Sequence, residues 1–148
     1  NLCSFRMDFQ PKVSGNLTEN KGMVLIDTSV WIEFFKANPA YTEEIEGLLE
    51  NKQVLSFEPV FAELLFGSRN DRERNQIISY WQFLPKIAFD NGFLLDSASF
   101  AAKNNYLNLG IGLIDSTLVF IAIKNKCQVW TLDKKLLKSL DKQFIYKS

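Results

Sequence analysis

Short apolar runs alternate with helix-patterned segments from residue 23 onward, and this alternation constrains the fold more than any other feature of the chain. The apolar runs predict strands at residues 23–26, 54–57, 86–89, 128–132 and, at a sheet edge, 144–146. Helical spacing of apolar residues predicts helices at residues 30–35, 39–51, 60–66, 71–83, 97–109, 113–123 and 134–140. Such alternation is typical of an α/β sandwich with a mainly parallel sheet, in which ligands bind beyond the carboxyl ends of the strands.

The length of 148 residues fits one domain. Residues 1–22 show no sustained apolar period, so we predict a leader there, either an extension, an expression remnant or a partner-binding arm, and a single domain over residues 23–148. No run reaches the roughly 18 to 20 apolar residues that cross a bilayer, and the N-terminal region lacks the apolar core of a secretory signal. Two distant cysteines, Cys3 and Cys127, form no disulfide framework. These features predict a cytoplasmic protein with free thiols.

The chain contains no histidine. This absence excludes nucleophilic sites of the Ser-His-Asp and Cys-His types, zinc sites that use histidine, and imidazole as a general base. Lys and Arg together number 17, as do Asp and Glu, so the overall charge gives no attraction toward nucleic acid. Any chemistry must therefore rest on carboxylates, hydroxyls, lysines or a cofactor.

Four of the acidic residues, Asp27, Glu63, Asp115 and Asp133, lie within apolar sequence. Asp27 and Asp133 directly follow predicted strands, and parallel strands present their carboxyl ends at one edge of the sheet. An unpaired ionised carboxylate in apolar surroundings costs on the order of several kcal/mol, so a group of them requires a counter-charge. A divalent cation with oxygen ligands, Mg²⁺ or Mn²⁺, would supply it and would also activate water.

A simpler interpretation assigns these four residues to local structure. Asp27 and Asp115 would each only cap a helix, Asp133 would only open the next helix, and Glu63 would only face solvent. The sequence pattern alone leaves both interpretations open.

The segments around the four acids resemble the motifs of PIN-domain ribonucleases, and among them the VapC-like toxins of type II toxin–antitoxin pairs. Residues 24–32 (VLIDTSVWI) are similar to the first-strand motif of that family, and residues 59–67 (PVFAELLFG) to its Glu-Leu…Gly helix. Residues 110–116 (GIGLIDS) and 129–136 (VWTLDKKL) are similar to its third and fourth acidic motifs. The four motifs follow one another in the order of the family.

The resemblance implies a PIN-like three-layer sandwich, with a mainly parallel central sheet flanked by helices. It also implies a metal-dependent endoribonuclease that hydrolyses RNA phosphodiesters with a metal-activated water and leaves 5′-phosphate and 3′-hydroxyl ends. One or two Mg²⁺ or Mn²⁺ ions would be held by Asp27, Glu63, Asp115 and Asp133. The supporting hydroxyls would be those of Thr28, Ser29 and Thr131.

Members of the family that the chain resembles form homodimers and are inhibited by a small antitoxin protein whose helix covers a hydrophobic groove. The resemblance therefore implies an antitoxin partner here, with groove candidates Trp31, Phe34, Phe35, Leu64 and Leu65, for at least half of which an ordinary core position is the favoured interpretation. Contacts to the RNA backbone are open to basic side chains on two helices, namely Arg69, Arg72, Arg74, Lys134, Lys135 and Lys138. Charged residues on helices are also commonly just solvated.

Two other functions remain as alternatives. A non-catalytic PIN-like module would bind protein or RNA without cleaving it, although all four acids are present. A different Mg²⁺-dependent phosphotransfer enzyme is disfavoured, since the chain has Ser29 where the haloacid-dehalogenase pattern requires a second aspartate and has no G-x-x-x-x-G-K-[ST] phosphate loop. Metal binding and RNA cleavage separate these functions.

Overall fold

The core of the fold is a parallel sheet whose central strand carries the first acidic motif. The computed structural model describes residues 13–14 and 22–148. The central strand β2 (Val24–Ile26) pairs in parallel with β3 (Val54–Leu55) on one side and with β5 (Gln128–Trp130) on the other. Val24 lies opposite both Val54 and Gln128, so the three strands end close to the same level.

Single bridges widen this sheet on both sides. A parallel bridge joins Ser56 to Lys86, and another joins Val129 to Ile145. The short strand β1 (Val13–Ser14) pairs antiparallel with β4 (Lys86–Ile87). No strand was predicted within the leader at residues 1–22, because a strand of only two residues shows no periodic pattern in the sequence. The remaining leader residues up to 21, and Cys3 among them, lie outside the described residues.

Seven α-helices flank the sheet in the described part of the chain, which agrees with the predicted α/β sandwich. In chain order they are α1 (Thr28–Phe35), α2 (Pro39–Glu50), α3 (Glu58–Phe66), α4 (Asp71–Phe83), α5 (Phe93–Lys103), α6 (Leu113–Asn125) and α7 (Lys134–Ser139). Local chemistry sets several of their ends. Asn38 accepts a hydrogen bond from the Ala40 N–H and thereby caps α2, and Pro39 occupies the first turn, where no N–H is needed.

The predicted helix at residues 97–109 was wrong in its bounds. Helix α5 begins at Phe93, because the positive φ of Gly92 (95°) turns the chain into the helix and the Phe93 ring is fully buried. It ends at Lys103, after which Asn105 adopts a positive φ of 55°. A helix stops where a residue takes a left-handed conformation, so the chain continues in turns up to Gly110.

The predicted strands at residues 54–57 and 144–146 are also shorter than expected. Strand β3 ends at Leu55, because Ser56 turns its N–H to the Pro85 carbonyl (2.8 Å) and leaves the ladder with β2. Near the C-terminus a 3₁₀-helix occupies Lys142–Phe144, and only Ile145 bridges the sheet.

Helix α6 is the buried helix that carries the third acidic motif. Its residues Ser116 to Ala122 are all buried, as expected of a helix that is apolar on every side. It packs along α5, where the hydroxyls of Ser97 and Thr117 form a buried hydrogen bond of 2.6 Å. This packing fixes the first turn of α6, and with it Asp115, relative to the sheet.

No helix in the described ranges is both long enough and apolar enough to cross a membrane.

Candidate metal centre

Asp27 lies at the carboxyl end of the central strand and is held by three hydrogen bonds. Its Oδ1 accepts from the Thr28 N–H (2.7 Å), and its Oδ2 accepts from the hydroxyls of Ser29 (2.9 Å) and Thr131 (2.7 Å). Only 5% of Asp27 is exposed, so these donors replace the water that the carboxylate loses. The interpretation of Asp27 as a helix cap is correct, but the cap accounts for only one of the three bonds.

Thr131 connects the first acidic motif to the fourth. Its hydroxyl donates to Asp27 and accepts from the Asp133 N–H at 3.0 Å. Ser29 makes a second connection, since its hydroxyl accepts from the Leu132 N–H at 3.1 Å while it donates to Asp27. The ends of β2 and β5 are therefore tied together by side chains as well as by the sheet.

Asp133 begins helix α7. Its Oδ1 accepts from the N–H groups of Lys135 (2.7 Å) and Leu136 (3.2 Å), which is the helix-capping arrangement. No hydrogen bond from the described residues reaches its Oδ2. Asp133 therefore caps a helix with one oxygen and keeps the other available.

Glu63 reaches the same region from helix α3. Its Oε2 accepts from the Thr28 hydroxyl at 2.6 Å, directly beside Asp27 in the chain. Glu63 is exposed, as the simpler interpretation expected, but its carboxylate points to the first acidic motif. Thr28 thus positions Glu63 in the same way that Thr131 positions Asp27.

Asp115 is the third residue of α6, and Gly112 rather than Asp115 caps that helix. Burial and, in decreasing order, the negative charges of Asp27, Asp133 and Glu63 together raise the pKa of Asp115 to about 6. These interactions require that the four carboxylates share one neighbourhood. The structure therefore brings together all four acids that the sequence singled out.

This raised pKa predicts a pH-dependent loss of stability in the metal-free protein. Between the ordinary value of 3.8 and the folded value of about 6, the folded state holds a proton on Asp115 that the unfolded state has released. The free energy of unfolding should therefore fall as the pH rises from about 4 to above 6. Solvent screening of the half-buried group limits this contribution to on the order of 1 kcal/mol. Urea unfolding in EDTA at several pH values measures it.

The matched control for Asp115→Asn is Asp90→Asn, because Asp90 lies at an exposed turn. The stability difference between Asp115→Asn and the wild type should grow through this pH range, and the Asp90→Asn difference should stay constant. Parallel curves for all three proteins would contradict the assigned environment of Asp115.

The donor set of the cluster fits a hard divalent cation. It consists of carboxylate and hydroxyl oxygens, which Mg²⁺ and Mn²⁺ prefer. Glu63 Oε1, Asp133 Oδ2 and both oxygens of Asp115 accept no hydrogen bond from the described residues. Within residues 13–14 and 22–148, however, no three acidic or cysteine side chains already stand in an arrangement that would hold one ion. Holding an ion therefore requires these carboxylates to draw closer to one another than they stand here.

A groove of about 260 Å³ lies beside the acids, between helices α1, α3 and α4. Its lining includes Ile32, Phe35, Leu64 and one of the four acids, Glu63. Of the five groove candidates, Phe35 and Leu64 line it and Leu65 does not. Trp31 and Phe34 belong to the core, with 0% and 7% exposure, so for these two the ordinary core position is correct and the groove position is not.

Ile32 is 40% exposed and lines the groove, although it was not among the predicted groove residues. Its spacing of three residues from Phe35 places both on one helical face, and this was the signal that could have identified it. Two of the basic candidates are engaged locally: Arg69 pairs with Glu73 at 3.1 Å, and Arg74 pairs with Asp71.

The comparisons with known proteins agree with this fold. A model of the PIN domain matches residues 24–143. Ribonuclease VapC32 of Mycobacterium tuberculosis is 30% identical over 117 residues, which are 77% of this chain and 87% of the relative. The crystal structure of VapBC2 from Rickettsia felis bound to a DNA fragment from their promoter has a TM-score of 0.65 at 20% identity and matches 83% of this chain and 96% of that one.

A second solved structure, PAE2754 from Pyrobaculum aerophilum, has a TM-score of 0.55 at 13% identity and matches 91% of this chain and 92% of that one. At these identities both structures bear on the fold alone. The sequence relationship to VapC32 and the domain match over most of the chain go further, and they establish that this chain belongs to the PIN-domain family.

Proposed function

We propose that this protein is a metal-dependent endoribonuclease that acts as the toxin of a toxin–antitoxin pair. The relationship to ribonuclease VapC32 supports the activity, and the likeness to VapBC2 supports the toxin–antitoxin setting. The observation that carries the proposal is the gathering of Asp27, Glu63, Asp115 and Asp133 at the carboxyl edge of the sheet. The functional domain in this proposal spans residues 23–148.

The four carboxylates are the residues that would hold Mg²⁺ or Mn²⁺. A divalent cation supplies a water nucleophile at neutral pH and stabilises the charge that develops on a phosphodiester. The hydroxyls of Ser29 and Thr131 keep Asp27 turned toward the site, and the hydroxyl of Thr28 keeps Glu63 beside it. Supporting hydrogen bonds of this kind typically change metal affinity or activity by about 10- to 100-fold when they are removed.

The groove between α1, α3 and α4 is the proposed site of the antitoxin. Its apolar lining by Ile32, Phe35 and Leu64 suits the apolar face of a helix, and Glu63 at its end suits a basic side chain. A homodimer is the proposed assembly of the free toxin.

Metal removal tests the proposed activity. We expect the purified protein to cleave single-stranded RNA with Mg²⁺ or Mn²⁺, to lose cleavage in excess EDTA, and to regain it when the metal is restored. Gel analysis of an end-labelled RNA, with the ends identified by sequencing, measures the reaction. The exposed substitution Glu50→Gln, on α2, serves as the control for the effects of purification.

Cleavage that persists in EDTA would exclude the metal mechanism. A protein that neither cleaves RNA nor binds Mg²⁺ or Mn²⁺ in calorimetry would instead be the non-catalytic binding module.

A further inference from the structure

The side chain of Lys135 lies across the backbone of Gly110, at the turn that leads into the third acidic motif. A Cβ atom at Gly110 would stand 3.0 Å from Lys135 Nζ and 3.5 Å from Cδ and Cε. Gly110 has a φ of +74°, a conformation that glycine adopts without strain. The absence of a side chain there leaves the room that the lysine stem occupies.

Lys135 is also fixed at its backbone. Its N–H donates to Asp133 Oδ1 at 2.7 Å in the first turn of α7. Lys135 therefore contacts two segments that carry acids. Its backbone N–H bonds to the carboxylate of Asp133, and its side chain crosses to the turn that precedes the helix of Asp115. The turn is itself well defined, because the Gly110 N–H donates to Leu107 O and the Ile111 N–H donates to Tyr106 O, both at 3.0 Å.

The ammonium group of Lys135 has no carboxylate partner in the described part of the chain. The ion pairs there are formed by Lys36, Arg69 and Arg74, and no described carboxylate oxygen lies within 4.0 Å of Lys135 Nζ. The charge therefore lies on a residue whose backbone contacts Asp133, and none of the four carboxylates forms an ion pair with it. It remains available to an anion that arrives from solvent.

An anionic substrate that approaches the four carboxylates requires a positive charge near them. Four carboxylates repel a phosphodiester as it approaches, and an exposed ammonium group at the rim of the cluster offsets part of that repulsion. We propose that Lys135 Nζ binds a backbone phosphate of single-stranded RNA beside the four carboxylates and so positions the strand for cleavage. This inference rests on the proposed ribonuclease function. Lys135 is a positioning residue here, since it acts on a phosphate next to the bond that is broken.

The test compares Lys135→Met with Lys52→Met, an equal loss of charge at an exposed position just before β3, at the edge of the sheet opposite the acids. Methionine keeps an unbranched apolar stem over Gly110 and removes the charge. In cleavage assays with Mg²⁺ we expect Lys135→Met to raise KM for a short single-stranded RNA about five- to tenfold with little change in kcat, and Lys52→Met to leave both near the wild type. Lys135→Arg should restore most of the affinity.

Salt dependence separates a phosphate contact from a structural effect. Binding of the same fluorescent RNA to the full chain in EDTA, followed by anisotropy at several NaCl concentrations, gives the slope of log affinity against log salt. The loss of one phosphate contact should reduce that slope by about 0.7 for Lys135→Met, and Lys52→Met should leave it unchanged. Gly110→Asn, which tolerates the positive φ but fills the space of the stem, should raise KM in the same direction with the charge still present.

Equal KM values and equal salt slopes for the two methionine variants would overturn the role of Lys135 while leaving the ribonuclease intact. A change in slope for Lys52→Met alone would also overturn it. A wild-type protein that neither cleaves nor binds RNA would overturn both this inference and the proposed function.

Discussion

Asp115→Asn should reduce RNA cleavage by at least about 100-fold and at the same time stabilise the metal-free protein at neutral pH. The reason for both effects is the same. In the proposed mechanism Asp115 contributes a negative charge to the cation site, and without a cation burial and the charges of Asp27, Asp133 and Glu63 oppose that charge. Loss of a ligand worth about 3 kcal/mol to the transition state corresponds to a factor of about 100 in rate. Single-turnover cleavage with saturating Mg²⁺ measures the first effect, and urea unfolding in EDTA measures the second.

The opposite signs of these two effects make the result specific. A general folding defect lowers activity and stability together, and Asp90→Asn should change neither. Full activity of Asp115→Asn would remove Asp115 from the mechanism. Reduced activity with reduced stability would show that the side chain serves mainly to hold α6 in place.

Trp31→Ala should lower the free energy of unfolding by about 3 to 5 kcal/mol, the usual cost of removing a fully buried large aromatic side chain. Trp31 is 0% exposed. Its ring stacks on Phe35 at 5.7 Å and meets Phe61 edge-on at 5.4 Å, so it joins α1 to α3. Tyr80 of α4 lies 6.0 Å away. Chemical denaturation followed by circular dichroism measures the loss.

Two variants control this prediction. Trp31→Phe should cost much less than Trp31→Ala, because it keeps most of the ring contacts and removes an indole N–H that is buried without a hydrogen-bond partner. Ile32→Ala, at the groove, should change stability by less than about 1 kcal/mol because Ile32 is 40% exposed. Similar losses for Trp31→Ala and Ile32→Ala would contradict the assignment of Trp31 to the core.

Much of the fold followed from local sequence patterns. The run at residues 24–26 is continuously apolar and forms the central strand. The helix that begins after Asn38 ends within one residue of its predicted end, and the helix at residues 71–83 has the predicted bounds. These elements are decided by spacing and end residues, which a single sequence displays. The meeting of the acids was predictable for Asp27 and Asp133 because both follow parallel strands.

The remaining features depend on contacts between distant segments. Trp31 and Ile32 are consecutive residues of α1, and helical spacing alone does not show which of them is buried. The packing of α3 and α4 buries Trp31 and leaves Ile32 to line the groove. The start of α5 depends on the backbone of Gly92 and on a buried pocket for Phe93. The crossing of Lys135 over Gly110 joins the first turn of α7 to the turn that precedes α6, and no periodicity in the sequence predicts this contact.

Glu63 belongs both to the acidic cluster and to the groove lining. A ligand that occupies the groove and contacts this carboxylate changes its free energy, and therefore changes the affinity of the cluster for a cation. Thermodynamic linkage makes the effect reciprocal, so the cation alters the affinity of the groove by the same factor. Binding of an inhibitor in the groove and binding of a cation by the cluster would then be thermodynamically coupled through the single side chain of Glu63.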